Sequence, residues 1–330
     1  MNIFIAPTVI SVIALLAVYW WGGVSAFLLA GLLSILEVTL SFDNAVVNAK
    51  VLQRMSEKWQ RRFLTWGILL AVFGTRLVFP ILIVSIAAFI SPIAAATLAF
   101  EDPARYAELI ATATPLILAF GGAFLLMVSL KYFFDVGKKV HWIEVVEKRL
   151  ARWGRIEAIE LALALSTLLF LSYISHAPQG PVLAAGCIGI LLFIVVQGVA
   201  SSFSMEGTVH QVTKTGLILF IYLNILDAAF SLDGVVGAFA LTTAIPIIFI
   251  GLGIGAYFVR TITIYLVRKR TLETLRYLEH GAHWAIFGLA LAMLAGLVIH
   301  IPEVVIGLIG LVLVTLAYIS SRRALKRGHI

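Results

Sequence analysis

Two eight-residue stretches hold the residue types that can do chemistry: Glu37-Val-Thr-Leu-Ser-Phe-Asp43-Asn44 and Asp227-Ala-Ala-Phe-Ser-Leu-Asp233-Gly234. Both follow the pattern acid-x-x-apolar-Ser-apolar-Asp. Each is followed by a segment that opens on a glycine, Gly67 or Gly251, and reaches a single arginine, Arg76 or Arg260, at the same spacing from that glycine. Carboxylates accompanied by Ser, Asn and backbone carbonyl oxygens, without thiols or a histidine cluster, form a donor set for a hard divalent cation such as Mn²⁺, Mg²⁺ or Ca²⁺. Zinc and copper fit less well. The candidate metal residues are therefore Glu37, Asp43, Asn44, Asp227 and Asp233, with Ser41, Ser231, Arg76 and Arg260 in supporting or gating positions. Asn48, Asn224, Glu279, His280 and His283 are secondary candidates.

These acids lie in apolar surroundings. The 330-residue chain is 62% hydrophobic and 12% charged, with a mean hydropathy of +1.06, whereas a soluble domain carries roughly 25% charged residues. Apolar runs approaching the ~20 residues that cross a bilayer as helix recur along it, and closed β-barrels lack such runs. The expected class is an all-α polytopic membrane protein with about ten spans, near 3–20, 22–43, 63–90, 112–131, 156–175, 181–200, 216–233, 244–267, 282–300 and 303–320. The first segment lacks a basic leader and a small-residue cleavage site, so it reads as a retained helix. Cys187, the single cysteine, reads as packing and excludes a disulfide framework.

If the spans alternate in direction, all the basic residues except Arg76, Arg105 and Arg260 fall on one side. The positive-inside rule then puts both termini in the cytoplasm of a cell whose plasma (inner) membrane holds the chain. The net charge of +7 thus reads as topology rather than nucleic-acid binding. The expected organisation is a first transmembrane half at 1–136, a cytoplasmic amphipathic linker at 137–155 and a second half at 156–330. Glu206, Lys131 and Asp135 read as interfacial. The lipid bilayer and a cation substrate are the expected partners, a homo-oligomer stays open, and no tightly bound cofactor is expected.

The motif-bearing spans lie five crossings apart, an odd number, so the two copies run through the membrane in opposite directions. Such inverted-topology repeats build many secondary transporters, with the substrate site near the midplane where the halves meet. An ionised carboxylate in the bilayer costs at least ~2.5–3.5 kcal/mol on insertion scales, so intramembrane acids need partners or a task. Glu37 and Asp43, six apart, point about 120° from each other on a continuous helix. Either the helix breaks near Ser41 and both acids enter one cavity, or it stays whole and Ser34, Glu37, Ser41, Asn44 and Asn48 line a polar stripe, matched by Asn224, Asp227 and Ser231. Arg76 and Arg260 read as counter-charges to the acids, as a fixed charge left when a cation departs, or as structural clamps.

Leu-Ser-Phe-Asp43-Asn44-Ala with Glu37, the second motif, Gly-Thr-Arg76 and Tyr277-Leu-Glu-His-Gly-Ala together resemble the TerC family of integral membrane proteins. The resemblance covers roughly residues 30–300, in particular that family's branch labelled only as a domain of unknown function. It implies manganese export, with Glu37, Asp43, Asn44, Asp227 and Asp233 forming the metal path, and a tellurium-resistance association. Many relatives carry Ser or Asn where this chain has Gly234. Absence of a Walker A pattern leaves ion, voltage or metal gradients as the drive. The chain is expected not to be an enzyme. The rival readings are an intramembrane metal-dependent enzyme and a membrane scaffold of a stress or tellurium-resistance complex.

Overall fold

A computed structural model describes residues 2–204, 209–299 and 301–326. All regular structure among them is helical. The elements that position the acids are α1 (Ile5–Leu40), α2 (Phe42–Leu52) and α3 (Glu57–Leu69), then a π-helical segment (Leu70–Val78) and α4 (Phe79–Ala87). Next come α5 (Pro92–Glu101), α6 (Pro103–Phe133), α7 (Glu144–Trp153), α8 (Ile159–Ile174) and α9 (Gln179–Ser204). The chain closes with α10 (Val209–Leu241), α11 (Ile245–Arg268), α12 (Thr271–Thr274), α13 (Leu278–Ala295) and α14 (Glu303–Lys326).

By length and composition, seven described helices can cross a membrane: the long parts of α1, α6, α9, α10, α11, α13 and α14. The pair formed by α3 and the stretch from Leu70 to Ile86, bent by 42°, would make an eighth. The expected ten spans exceed this number by counting α1 twice and by including α8. Expected spans 3–20 and 22–43 correspond to the two arms of α1, which joins two helices across a kink where Gly23 adopts φ +71°, a left-handed conformation that glycine takes without steric penalty. Expected span 156–175 is the apolar helix α8, 16 residues long.

Small residues bring the site helices together. A Cβ on Gly255 would sit 2.4 Å from the Cβ of Glu37, and one on Gly251 would sit 2.7 Å from that of Leu33. Gly251 and Gly255 form a Gly-x-x-x-Gly face on α11 that lets α1 approach closely, the usual device where lipid removes the hydrophobic drive between helices. Ser34 Oγ donates across this contact to the Gly251 carbonyl at 3.0 Å. Elsewhere α6 packs between α9 and α13, and α13 backs onto α14. Their fully buried Phe124, Leu126, Ile286 and Ala290 anchor the largest apolar cluster. Large apolar side chains on the outer faces, such as Trp20 on α1 and Phe170 on α8, are exposed. That pattern belongs to a protein whose outer surface meets lipid.

Candidate functional site

The polar centre lies where α1, α2, α10, α11 and the π-helical segment meet. α1 ends at Leu40 and α2 starts at Phe42, with Ser41 between them at φ −100°, ψ 13°. The interruption is slight, because Ser41 N donates to the Glu37 carbonyl and Ala45 N to that of Ser41, at 3.0 and 3.1 Å. It lies between the two expected alternatives, a cavity-forming break and an unbroken stripe. In the second copy α10 runs through Ser231 without interruption.

Each opening acid is paired with the arginine of its own half. Buried Glu37 accepts from the Arg76 guanidinium, and its Oε1 also accepts from Ser41 Oγ at 2.9 Å. Asp227 Oδ2 accepts from Arg260 Nη2 at 3.2 Å. All four side chains are buried. Arg76 lies in the π-helical segment, a local distortion found often at functional sites, and its Nη1 donates to Thr75 Oγ1 at 3.0 Å. The Arg260 guanidinium lies over the Phe63 ring, 3.8 Å from its centroid, in a cation–π arrangement. Two buried pairs of this kind are weak evidence for stability, since desolvation offsets their attraction, but removing one partner is costly.

The two motifs also interlock. Asn44 Nδ2 donates to Asp227 Oδ1 at 2.7 Å, so the last residue of the first motif meets the first residue of the second. Reciprocally, a Cβ on Gly234 would lie 3.0 Å from Glu37 Oε2, so the last residue of the second motif faces the first residue of the first.

Asp43 differs from the other described acids of the centre. It is buried, accepts from the Asn44 backbone N–H at 2.8 Å, and has no lysine or arginine partner among the described residues. On α2, Asn44 Oδ1 and Asn48 Oδ1, and on α10, Ser231 Oγ, are buried without a hydrogen-bond partner among the described residues. Oxygens held dry and unpaired are energetically expensive, and they are the atoms a hard cation would seek. The side chain of Asp233 lies outside the described residues, as do Glu206 and its neighbours 205–208. Among the described residues no three of His, Cys, Asp or Glu converge as a metal-binding set.

The secondary candidates separate from this centre. Asn224 turns back onto its own helix, donating to the Phe220 carbonyl at 2.7 Å. Glu279 pairs with Lys50 at 2.8 Å, tying the start of α13 to the last turn of α2. His283 bonds the Glu279 carbonyl at 2.8 Å and stacks on Tyr132 with centroids 3.6 Å apart. His280 bonds Glu147 Oε2 at 2.7 Å.

Glu147 is the residue that sequence reasoning missed. It lies on α7, inside the expected linker, and is fully buried. Trp284 Nε1 donates to its Oε1 at 3.0 Å, Lys138 Nζ lies 3.0 Å from its Oε2, and the Trp142 and Ile143 backbone N–H groups donate at 3.2 and 3.3 Å. Burial pushes this carboxyl up, but the bond and charge of His280, the Lys138 charge and the Trp284 bond outweigh it and hold the group well below the usual carboxylate range.

No curated protein and no solved structure matches the chain. One family model does, over residues 42–328, and it is described as a protein of unknown function, DUF475. The match takes in Asp43, Asn44, Arg76, Asp227 and Arg260 and starts just after Glu37. Its description says nothing of tellurium, manganese or transport, so the TerC resemblance narrows to a family without an assigned role. Spanning most of the chain and both acidic motifs' partners, this match makes the protein a member of the DUF475 family.

Proposed function

We propose that this chain is a secondary membrane transporter whose cation path runs between the two acidic motifs, with a hard divalent cation, Mn²⁺ first, as the exported substrate. The observation that carries the reading is the reciprocal interlock of the motifs around two buried arginine–carboxylate pairs. Glu37 with Arg76 and Asp227 with Arg260 are equivalent pairs from equivalent positions. The first residue of each motif lies against the last residue of the other, the relation expected of two copies that cross antiparallel. α1 packs on the arginine helix of the other half, α11, and α10 packs on the π-helical segment that carries Arg76. These relations support an inverted-topology repeat with the site at its interface, the architecture of alternating-access transporters.

In this reading the arginines neutralise Glu37 and Asp227 while the path is empty and closed. Asp43, buried without a counter-charge, is the acid free to receive the cation, with the unpaired oxygens of Asn44 and Asn48 on its own helix and of Ser231 on α10 as further donors. Opening one half would release its arginine–acid pair and add a second carboxylate to the coordination. Both termini and the linker face the cytoplasm of a plasma-membrane protein, and the motifs serve transport rather than catalysis. Transport of this kind needs differential stabilisation of two states by the same cation, which the exchange of arginine for metal supplies.

The test is elemental analysis of manganese-loaded cells expressing the parent protein, Asp43→Asn or Asp227→Asn at matched membrane abundance. The expected result is lowered cell manganese with the parent and none with either variant. Unchanged manganese, calcium and magnesium in all three would overturn the proposal.

A further inference from the structure

The linker helix α7 is held in one rotational setting by two separate contacts. Fully buried Glu147 pins its inner face to His280 and Trp284 of α13. At its C-terminus a Cβ on Gly154 would fall 1.8 Å from the Phe134 carbonyl oxygen, so only glycine allows the helix end to lie against the end of α6. With Leu150 packed on the main apolar cluster, the helix cannot roll without breaking all three.

At about 100° per residue, that setting sorts the side chains by chemistry. Arg149, Arg152, Val145, Val146 and Trp153 fall within a sector of about 120° opposite Glu147, and all five are exposed, Val145 at 78% and Trp153 at 48%. Both acids of the helix lie outside this sector. Glu144 pairs with Lys148, while Arg149, Arg152 and the following Arg155 have no acidic partner among the described residues. Ile156, exposed at 56%, extends the apolar side.

We propose that this face of α7 is a docking surface for anionic phospholipid headgroups, with the valines, Trp153 and Ile156 seated at the acyl boundary and the arginines on the phosphates. The proposal does not depend on what the acidic centre transports. An apolar and aromatic strip interleaved with unpaired arginines, and free of acids, is complementary to a negatively charged membrane surface. Arginine meets phosphate through two parallel N–H bonds. Each basic residue near such a surface strengthens binding to it by about fivefold. The same helix is bonded to α13, and α13 is bonded through Glu279 and Lys50 to α2, the element that carries Asp43 and Asn44.

The experiment uses the full chain with Cys187→Ala and Val145→Cys, labelled at position 145 with bimane and reconstituted in liposomes. Brominated phosphatidylglycerol and brominated phosphatidylcholine are compared as quenchers at equal mole fraction. Quenching several-fold stronger by the anionic lipid, equalised by Arg149→Gln with Arg152→Gln, is the expected result. Equal quenching by both lipids in the parent would overturn headgroup selectivity. Quenching by aqueous iodide alone would place the face in water, and quenching by neither lipid nor iodide would place it against protein. Either of these also overturns the proposal. The two-lipid comparison in the parent decides the matter even where the arginine variants fail to assemble.

Discussion

Replacing Gly255 by alanine tests the closest contact of the site helices. The added methyl would lie 2.4 and 2.5 Å from Glu37 Cβ and Cγ and 3.0 Å from the Ser34 carbonyl oxygen. One of those neighbours is backbone and another is the root of a buried side chain, so α1 and α11 must separate by about 1 Å to restore ordinary contact. Overpacking of this kind costs about 1–3 kcal/mol, and it strains the 3.0 Å bond from Ser34 to Gly251 and the seat of Glu37 beside Arg76. Gly253→Ala is the matched control on the same helix. Its methyl would meet only Val72 Cγ1 at 3.4 Å, and it gains the helix propensity of alanine over glycine, about 1 kcal/mol. Unfolding in mixed micelles with rising dodecyl sulfate should therefore rank Gly253→Ala at or above the parent and Gly255→Ala below it. Cation transport should fall in Gly255→Ala alone. Equal stability of the two alanine variants would refute the close packing and, with it, the account of how Glu37 is positioned.

Removing Arg76 as Arg76→Met leaves Glu37 buried and unpaired, a loss of about 3–5 kcal/mol; the double variant with Glu37→Gln should recover most of it in the same unfolding assay. Glu147 has a folded-state acidity stronger than its ordinary value of 4.5, so its contribution is complete above that value and is lost as pH falls from there through the folded-state value. Hydrogen exchange of α7, after correction for intrinsic rates, should accordingly rise on acidification below about pH 4.5, with Glu147→Gln abolishing that dependence. Gly234→Ser would set its Cβ 3.0 Å from Glu37 Oε2 and add a hydroxyl beside that carboxylate; stability should change by less than about 1 kcal/mol, while apparent affinity for divalent cation in a liposome flux assay rises.

Membrane class was legible from hydropathy alone, and the paired motifs pointed to the polar centre. Counter-charge was one of the readings open for Arg76 and Arg260, and the structure forms both pairs. What stayed hidden was set by distant contacts. Glu147 and His280 are 133 residues apart, and no local pattern announces that a linker acid will be buried by α13. The π-helical segment before Arg76 has no Pro or Gly pair to mark it, whereas its counterpart α11 is regular. The expected ten spans exceed the seven or eight long apolar helices at two places: α1 joins two helices across the Gly23 kink, and α8 ends at Ile174 after 16 residues. The Gly251-x-x-x-Gly255 face was visible in principle, since small residues four apart are the common signature of close helix packing in lipid.

The departures from symmetry carry as much as the symmetry. If the two motifs were equivalent, each opening acid would have the same set of partners. Asn44 gives Asp227 a neutral donor at 2.7 Å, but its counterpart Gly234 can give Glu37 none. Glu37 instead takes Ser41 Oγ, from the slight interruption that α10 lacks at Ser231, whose Oγ is left unpaired. The first half therefore holds its acid with its own hydroxyl and arginine, while the second half's acid depends on a side chain from across the interface. Separating the halves would cost Asp227 a hydrogen bond and leave Glu37 with both of its partners. Asp227 is thus the acid whose hydrogen bonding depends on the contact between α2 and α10, through an asparagine one residue after Asp43.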